Sequence, residues 1–216
     1  MTRGGFGLAL LLDDILGFDR DAFIKMECRF RAFFPLVKSI KLLPEPAFKR
    51  AGHAKQPVPI LTSSDGKGLH FELSDGTVMP AAQASDGLLL VLAYLAVLHL
   101  PEPPRLLLVE EPENGVHPKR LQEVLGILRQ LVAESGETQV VMTTHSPYVL
   151  DEFEPHEVTI CSKNPDGSVA TRRLSESEVV QKQKDVFSLG EIWTGEGDEA
   201  LSNDPQPSDD EVGEAA

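Results

Sequence analysis

Residues 106–118 read LLLVEEPENGVHP, and this stretch decides the fold class. Four apolar residues run into the acids Glu110 and Glu111, a pattern typical of a short parallel strand that is buried on both faces and opens into a loop. Pro118 then begins a helical pattern, and residues 138–144, TQVVMTT, form a second apolar run. The order strand, helix, strand predicts an α/β domain with parallel central strands and flanking helices.

The sequence before this stretch predicts helices and antiparallel strands. Apolar residues at helical spacing indicate two helices over residues 8–34, and the alternation in residues 36–43 indicates a strand. Residues 44–59 are basic and rich in proline, which favours a loop. The runs LHFEL (69–73) and TVMPA (77–81) flank a Ser-Asp-Gly turn and predict a small hairpin.

The C-terminal end predicts another hairpin and then a tail. Residues 157–163 and 168–174 alternate around a Pro-Asp-Gly turn. Much of the net charge of -14 lies beyond Lys184, where ten acids occur and no Lys or Arg. Residues 196–216 contain few large apolar side chains, so we expect an acidic, disordered tail.

Paired acids after a buried strand suggest phosphate chemistry. Ligands of open α/β sheets bind beyond the carboxyl ends of the strands, where Glu110, Glu111 and His145 occur. One carboxylate could hold Mg²⁺ and its neighbour could orient an attacking water. On these residues alone, the start of a solvated loop explains the two acids equally well.

A family resemblance favours the chemical interpretation. LLLVEEPENGVHP resembles the Walker B segment and D-loop of ATP-binding-cassette ATPase heads of the RecF, SMC and overcoming-lysogenisation-defect (OLD) kind. The resemblance implies that Glu110 binds magnesium, that Glu111 is the catalytic base, and that Asn114 and His117 contribute to nucleotide binding. Glu110 stands where aspartate is commoner, so its carboxylate reaches one methylene further.

A second segment, TTHSPYVLD at residues 143–151, resembles the switch-histidine segment of the same ATPases. The resemblance implies that His145 contacts the γ-phosphate of ATP. A lone histidine at a strand end is more often structural, and Ser-Pro commonly opens a helix. The full string is therefore what supports the assignment.

A signature motif has two candidates, each containing Ser-Asp-Gly. Residues 74–76 precede a strand and are best explained as a turn. Ser85, Asp86 and Gly87 stand at the start of a long apolar helix, for which Ser85 is the predicted capping residue. The amide groups and the positive dipole end of this helix suit a phosphate. By resemblance, Ser85, Asp86 and Gly87 meet ATP bound on a partner head. Ala84 departs from the family pattern, in which leucine is usual.

The sequence has no Walker A motif. Such a loop needs Gly, four residues and then Gly-Lys-Ser/Thr, but Gly66-Lys67 is followed by Gly68 and preceded by Leu61 at the first glycine position. The resemblance thus implies the C-terminal half of a P-loop NTPase-like, three-layer domain. Residues 1–195 form this partial head, divided into a helical and hairpin region (1–83) and a signature to switch-histidine core (84–195).

The resemblance also implies the partners. We expect a missing N-terminal P-loop half or a full-length ATPase subunit, and a homodimer of heads in the complete protein. ATP and Mg²⁺ are the expected cofactors. DNA, a nuclease partner and a role in repair or anti-phage defence follow only by family association. The longest apolar run, residues 88–100, is too short to span a bilayer, so we expect a cytoplasmic protein without membrane contact.

Two alternatives remain open. The chain could be a non-catalytic fragment or an interaction module that pairs with a full-length ATPase. It could instead be a metal hydrolase whose cluster comprises Glu110, Glu111, Glu113, His117 and His145. Glycine and proline interrupt this stretch, which disfavours the helical i, i+4 spacing that such a cluster would use.

Overall fold

The computed structural model describes residues 7–51 and 60–203, which belong to two compact units. Unit 1 contains the chain up to Val116 together with Glu123–Met142. Unit 2 contains His117–Gln122 and the chain from Thr143 onward. The elements in chain order are α1 (Leu8–Phe18), α2 (Arg20–Phe33), β1 (Val37–Ala51), β2 (Ile60–Leu73), β3 (Val78–Pro80), α3 (Asp86–Leu98), β4 (Leu106–Glu110), α4 (Leu121–Ser135), β5 (Gln139–Thr143), α5 (Pro147–Leu150), β6 (Thr159–Lys163), β7 (Val169–Arg173), α6 (Glu178–Gln183) and α7 (Leu189–Asn203).

The first two helices form as predicted, and one residue separates them. Asp19 ends α1 and caps α2, because its Oδ1 accepts the backbone N–H groups of Asp21 (2.9 Å) and Ala22 (3.0 Å). The buried face of α2 carries Phe30, whose ring stacks on Phe71 of β2 with centroids 5.9 Å apart. Helices α1, α2 and α3 also pack on one another, so these elements share the core of unit 1.

Strands β1, β2 and β3 form an antiparallel sheet in that order. The predicted hairpin at residues 74–76 is confirmed, and the predicted loop over residues 44–59 is wrong for its described part. Residues 44–51 extend β1 and pair with residues 60–67 of β2, while residues 52–59 lie outside the described residues. Prolines fit here because β1 is an edge strand, on which alternate N–H groups need no partner in the sheet.

Strands β4 and β5 form the parallel pair that the sequence predicts. They are hydrogen-bonded neighbours connected through α4. The N–H of Gln139, which opens β5, donates to the carbonyl of Arg105, just before β4, at 2.8 Å. The two strands therefore start side by side and run in the same direction.

The prediction that β4 is buried on both faces is wrong for the described part of the chain. Val109 is buried and Leu107 is half-buried, so one face points into unit 1. On the other face, Leu106 is 51% exposed and Leu108 is 70% exposed. Val141, the third residue of β5, lies beside Leu108, the third residue of β4, and is 55% exposed. An apolar run therefore does not by itself predict which faces of a strand are covered within the described residues.

Unit 2 is built around the β6–β7 hairpin. Its strands pair from Thr159 with Arg173 to Lys163 with Val169, as the sequence predicts. The turn between them contains Gly167, whose φ of 86° favours glycine. Helices and strands of this unit bury one hydrophobic cluster, whose members are Leu150, Ile160, Leu174, Val180, Leu189, Ile192 and Leu201.

The last helix, α7, extends into the segment predicted to be a disordered tail. It bends at Gly197 (φ 81°), continues to Asn203 and buries Leu201 completely. The hydroxyl of Ser202 bonds to that of Ser162 at 2.5 Å. The tail prediction is therefore wrong for residues 196–203, because one apolar side chain and a buried hydroxyl attach them to unit 2. Residues 204–216 lie outside the described residues.

None of the helices in the described ranges combines the length and the apolar character that a bilayer crossing requires.

Truncation of Leu201 should test the attachment of α7. We expect Leu201→Ala to lower the free energy of unfolding of unit 2 by about 2–4 kcal/mol, because a fully buried leucine leaves a cavity. Val169→Ala, at a 62% exposed position of β7, should change it by less than about 1 kcal/mol. Urea unfolding of both variants provides the measurement, and equal stabilities would show that α7 does not pack as described.

Candidate functional site

The two predicted acids lie at the carboxyl end of β4 in different environments. Glu110 is the last residue of the strand and is exposed. Side chains alternate along a strand, so Glu110 shares the open face with Leu106 and Leu108. Glu111 begins the following turn and is half-buried. The two adjacent carboxylates therefore differ in their exposure to solvent.

Glu111 has a backbone conformation that is rare for a residue with a side chain. Its φ is 47°, and it is the one non-glycine residue with a positive φ in residues 7–51 and 60–203. The carbonyl of Glu111 accepts the N–H of Asn114 at 2.9 Å, which closes the turn. The side-chain amide of Asn114 also donates to Oε2 of Glu111. Two hydrogen bonds from one residue thus fix both the main chain and the carboxylate of Glu111.

The predicted signature segment begins α3. The Ser85 hydroxyl accepts the N–H of Leu88 at 3.3 Å, which confirms the predicted serine cap. Ser85 and Asp86 are exposed, whereas nearly every residue from Gly87 to Ala96 is buried. The rest of α3 is therefore held in the core, and its first residues are presented at the surface. The competing segment at residues 74–76 is a turn, in which Asp75 Oδ1 accepts the N–H of Thr77 at 2.8 Å.

The start of α3 and the turn after β4 touch through their backbones. A Cβ added to Gly87 would lie 2.0 Å from the carbonyl oxygen of Gly115, and one added to Gly115 would lie 2.8 Å from the nitrogen of Gly87. Gly115 also has a φ of 72°. Both positions therefore require glycine. The contact joins two motifs that lie almost thirty residues apart in sequence, so the structure brings Ser85, Asp86 and Gly87 next to the loop that contains Glu111 and Asn114.

Sequence reasoning missed one residue of this neighbourhood. Tyr94 lies on α3, is 6% exposed, and its hydroxyl has no hydrogen-bond partner in the part of the chain that the structure describes. Burial raises the pKa of this phenol, and the negative charge of Glu113 raises it further. Tyr94 therefore stays neutral beside the acidic loop. Its signal in the sequence is a single polar group within the otherwise aliphatic run LLLVLAYLAVL.

The two predicted histidines belong to unit 2, whereas the two acids belong to unit 1. His117 caps the 3-10 turn Pro118–Arg120, and its Nδ1 accepts the N–H of Lys119 at 3.3 Å. His145 is exposed between β5 and α5. The roles of both histidines in nucleotide binding stay predictions.

The residues fit a magnesium ion better than a resident metal cluster. No group of three or more His, Cys, Asp or Glu side chains in the described residues could hold a metal ion, so the metal-hydrolase alternative gains no support. Mg²⁺ commonly takes one or two protein carboxylates, with water and phosphate oxygens as its other ligands. The exposed Glu110 at the strand end can serve as such a carboxylate.

A shallow cleft of about 310 Å³ lies at the other end of the parallel pair, lined by Pro101, Arg105 and Thr138 among others. These residues precede the strands, whereas ligands of open α/β sheets bind where the strands end. The cleft is therefore separate from the candidate site.

Comparison with known proteins identifies the kind of domain. A family model described as an AAA domain, putative AbiEii toxin, type IV TA system, matches residues 10–151, which is more than half of the chain. The matched range contains the start of α3, the acidic pair with its turn, and His145. No curated protein matches the chain.

Replacing Gly87 of α3 with alanine should show how closely the start of α3 packs on the turn after β4, and Gly126 of α4 provides the control position. We expect Gly87→Ala to lower the free energy of unfolding by about 2 kcal/mol or more, because the new methyl group meets a backbone oxygen. Gly126→Ala, within α4 where an added Cβ meets nothing within 4 Å, should raise it by up to about 1 kcal/mol. Urea unfolding followed by circular dichroism distinguishes them, and similar gains for both would contradict the close contact.

Proposed function

Because the chain belongs to this family of AAA domains, we propose that it supplies one half of a composite ATP-hydrolysing site whose phosphate-binding loop comes from another polypeptide segment. AAA domains are nucleotide-binding domains of ATPase type. The observation that carries the proposal is the carboxylate pair Glu110 and Glu111 at the open end of a parallel strand, in a loop whose backbone contacts the start of α3.

Glu110 is the proposed magnesium ligand. Its exposed carboxylate lies at the strand end, where one protein ligand suffices because phosphate and water oxygens complete the shell. When bound there, Mg²⁺ would neutralise charge on the phosphate oxygens. Glu110 is one methylene longer than the commoner aspartate, and its position on the open face leaves room for that reach.

Glu111 is the proposed base. Its carboxylate accepts a proton from water while the water oxygen bonds to the γ-phosphorus and the bond to the β–γ bridging oxygen breaks, which gives ADP and inorganic phosphate. Such a base must be fixed with respect to the water, because catalysis of phosphoryl transfer depends mainly on positioning and electrostatics. The hydrogen bonds from Asn114 support this assignment.

The start of α3 is the proposed contact to a γ-phosphate on a partner head. The Ser85 hydroxyl accepts a backbone N–H and retains its own hydrogen, which can be donated to a phosphate oxygen. Asp86 and Gly87 provide first-turn amides at the positive end of a 13-residue helix. His145 would contact the γ-phosphate, and His117 would contribute to nucleotide binding, as the resemblance implies.

The open face of the β4–β5 pair supports the proposal that a second polypeptide segment binds there. Parallel strands occur almost only with both faces covered, yet Leu106, Leu108 and Val141 are exposed. The same face ends at Glu110, and the sequence has no glycine-rich phosphate loop of its own. We therefore propose that an N-terminal P-loop half, or a full-length ATPase subunit, covers this face, and that complete heads pair as homodimers.

The physiological role is proposed from the family alone. The matching family is described as a putative toxin of a type IV TA system, which is compatible with a part in anti-phage defence. We also propose that the chain is related to the RecF, SMC and OLD families and acts in the cytoplasm. On the same ground we propose a role in DNA repair, with DNA or a nuclease as a partner.

A second candidate function uses the same surface without chemistry. A chain that lacks its own phosphate loop could dock through the open strand face and regulate a full-length ATPase. Both functions require the docked segment, but only the first requires the carboxylate of Glu111. Turnover of the completed assembly therefore separates them.

The first test is ATP hydrolysis with and without a P-loop-bearing half. The chain alone should bind MgATP weakly or not at all in calorimetry, because the loop that binds phosphate is absent from it. Joined to that half, it should hydrolyse ATP. Glu111→Gln should then abolish turnover while nucleotide binding persists, whereas Glu110→Ala should weaken binding that depends on Mg²⁺. Micromolar ATP affinity of the chain alone, or wild-type turnover by Glu111→Gln, would contradict the proposal.

The second test concerns the open face. Leu108→Lys should weaken association with the P-loop-bearing half by at least about tenfold, because burial of an unpaired ammonium is unfavourable. It should leave the stability of the chain alone almost unchanged, since Leu108 is exposed there. Val169→Lys, at a similarly exposed position of β7, serves as the matched control. Equal association of all three proteins, measured by calorimetric titration, would show that this face is not the docking surface.

A further inference from the structure

We infer that Asn114 is a positioning residue that holds the carboxylate of Glu111, rather than a residue whose main role is to bind nucleotide. The inference rests on the proposed function of Glu111 as the base of ATP hydrolysis. It goes further because it states how the base is held and which of its two oxygens is used.

The contact consists of two hydrogen bonds between the same two residues. The backbone N–H of Asn114 donates to the carbonyl of Glu111 at 2.9 Å, and its side-chain amide donates to Oε2 of Glu111. A carboxylate can only accept and the amide nitrogen can only donate, so the contact has one possible direction. Bonds to an ionised acceptor are stronger than those between neutral groups.

The backbone of Glu111 explains why such a contact is needed. A φ of 47° is unfavourable for a residue with a side chain, and such conformations persist only where the surroundings hold them. The preceding strand fixes one side of Glu111. On the other side, Pro112 is buried and Gly115 rests against Gly87. The turn closed by Asn114 joins these two fixed ends.

The hydrogen bond also differentiates the two carboxylate oxygens. Oε2 already accepts the amide of Asn114, whereas Oε1 keeps both of its lone pairs to receive a proton from water. A carboxylate whose side chain could rotate freely would present either oxygen in many directions. Removal of the amide should therefore lower the rate of the chemical step and leave ATP binding largely intact.

The contact itself can be tested in the full chain without nucleotide. A double-mutant cycle of Glu111→Ala and Asn114→Ala should show a coupling of about fivefold or more in the unfolding equilibrium constant. The cycle of Glu110→Ala with Asn114→Ala, which uses the neighbouring acid, is the matched control and should show almost none. In NMR spectra, one side-chain amide proton of Asn114 should be shifted downfield and should return to the ordinary range in Glu111→Ala. Equal coupling in both cycles, or an unchanged amide signal, would overturn the inference.

The positioning role is tested in the assembly that contains a P-loop-bearing half. Asn114→Asp preserves size but replaces the donor with a carboxylate, and it should lower kcat at least about tenfold with little change in the KM for ATP. Asn164→Asp, in the β6–β7 turn of unit 2, is the matched control and should leave both constants unchanged. A rise in KM alone would show that Asn114 binds nucleotide, and an unchanged kcat would refute positioning. Absence of turnover in the wild-type assembly would instead refute the proposed function, and with it the positioning role of Asn114 in hydrolysis. The double-mutant cycle would still test the contact between Asn114 and Glu111.

Discussion

The close approach of Gly87 and Gly115 is the constraint on which the candidate site depends. Neither position has space for a methyl group, because the backbone at the start of α3 contacts the backbone of the turn after β4 directly. Helix α3 is buried along most of its length and cannot move independently of the core. The position of the turn is thereby fixed, and with it the unusual conformation of Glu111. Core packing in unit 1 thus extends, through one contact, to the residues proposed to carry chemistry.

Much of this arrangement follows from the sequence, since its local signals are strong. The cap at Ser85, the α/β order and the position of the acids at the strand end all depend on short local patterns. The left-handed Glu111 could not be predicted, because glutamate is a poor residue for that conformation and only the closed turn maintains it. The amide contact of Asn114 depends on the same turn.

Other features depend on tertiary contacts that the local sequence does not encode. Prolines at residues 44 and 46 suggest a loop, yet an edge strand accommodates them because half of its N–H groups face away from its neighbour. The acidic composition after residue 195 suggests disorder, yet Leu201 reaches the core of unit 2. In both cases the composition of the segment predicts no regular structure, but its position in the fold provides one: an edge position for β1 and a core contact for Leu201.

The parallel β4–β5 pair has a consequence for the behaviour of the chain in solution. Its outer face exposes the aliphatic side chains of Leu106, Leu108 and Val141, and an exposed apolar patch of this kind favours association between protein molecules. We therefore expect copies of the isolated chain to associate through this face as their concentration rises. Co-expression with the proposed P-loop-bearing half should reduce this association, because a docked segment would cover the exposed apolar side chains.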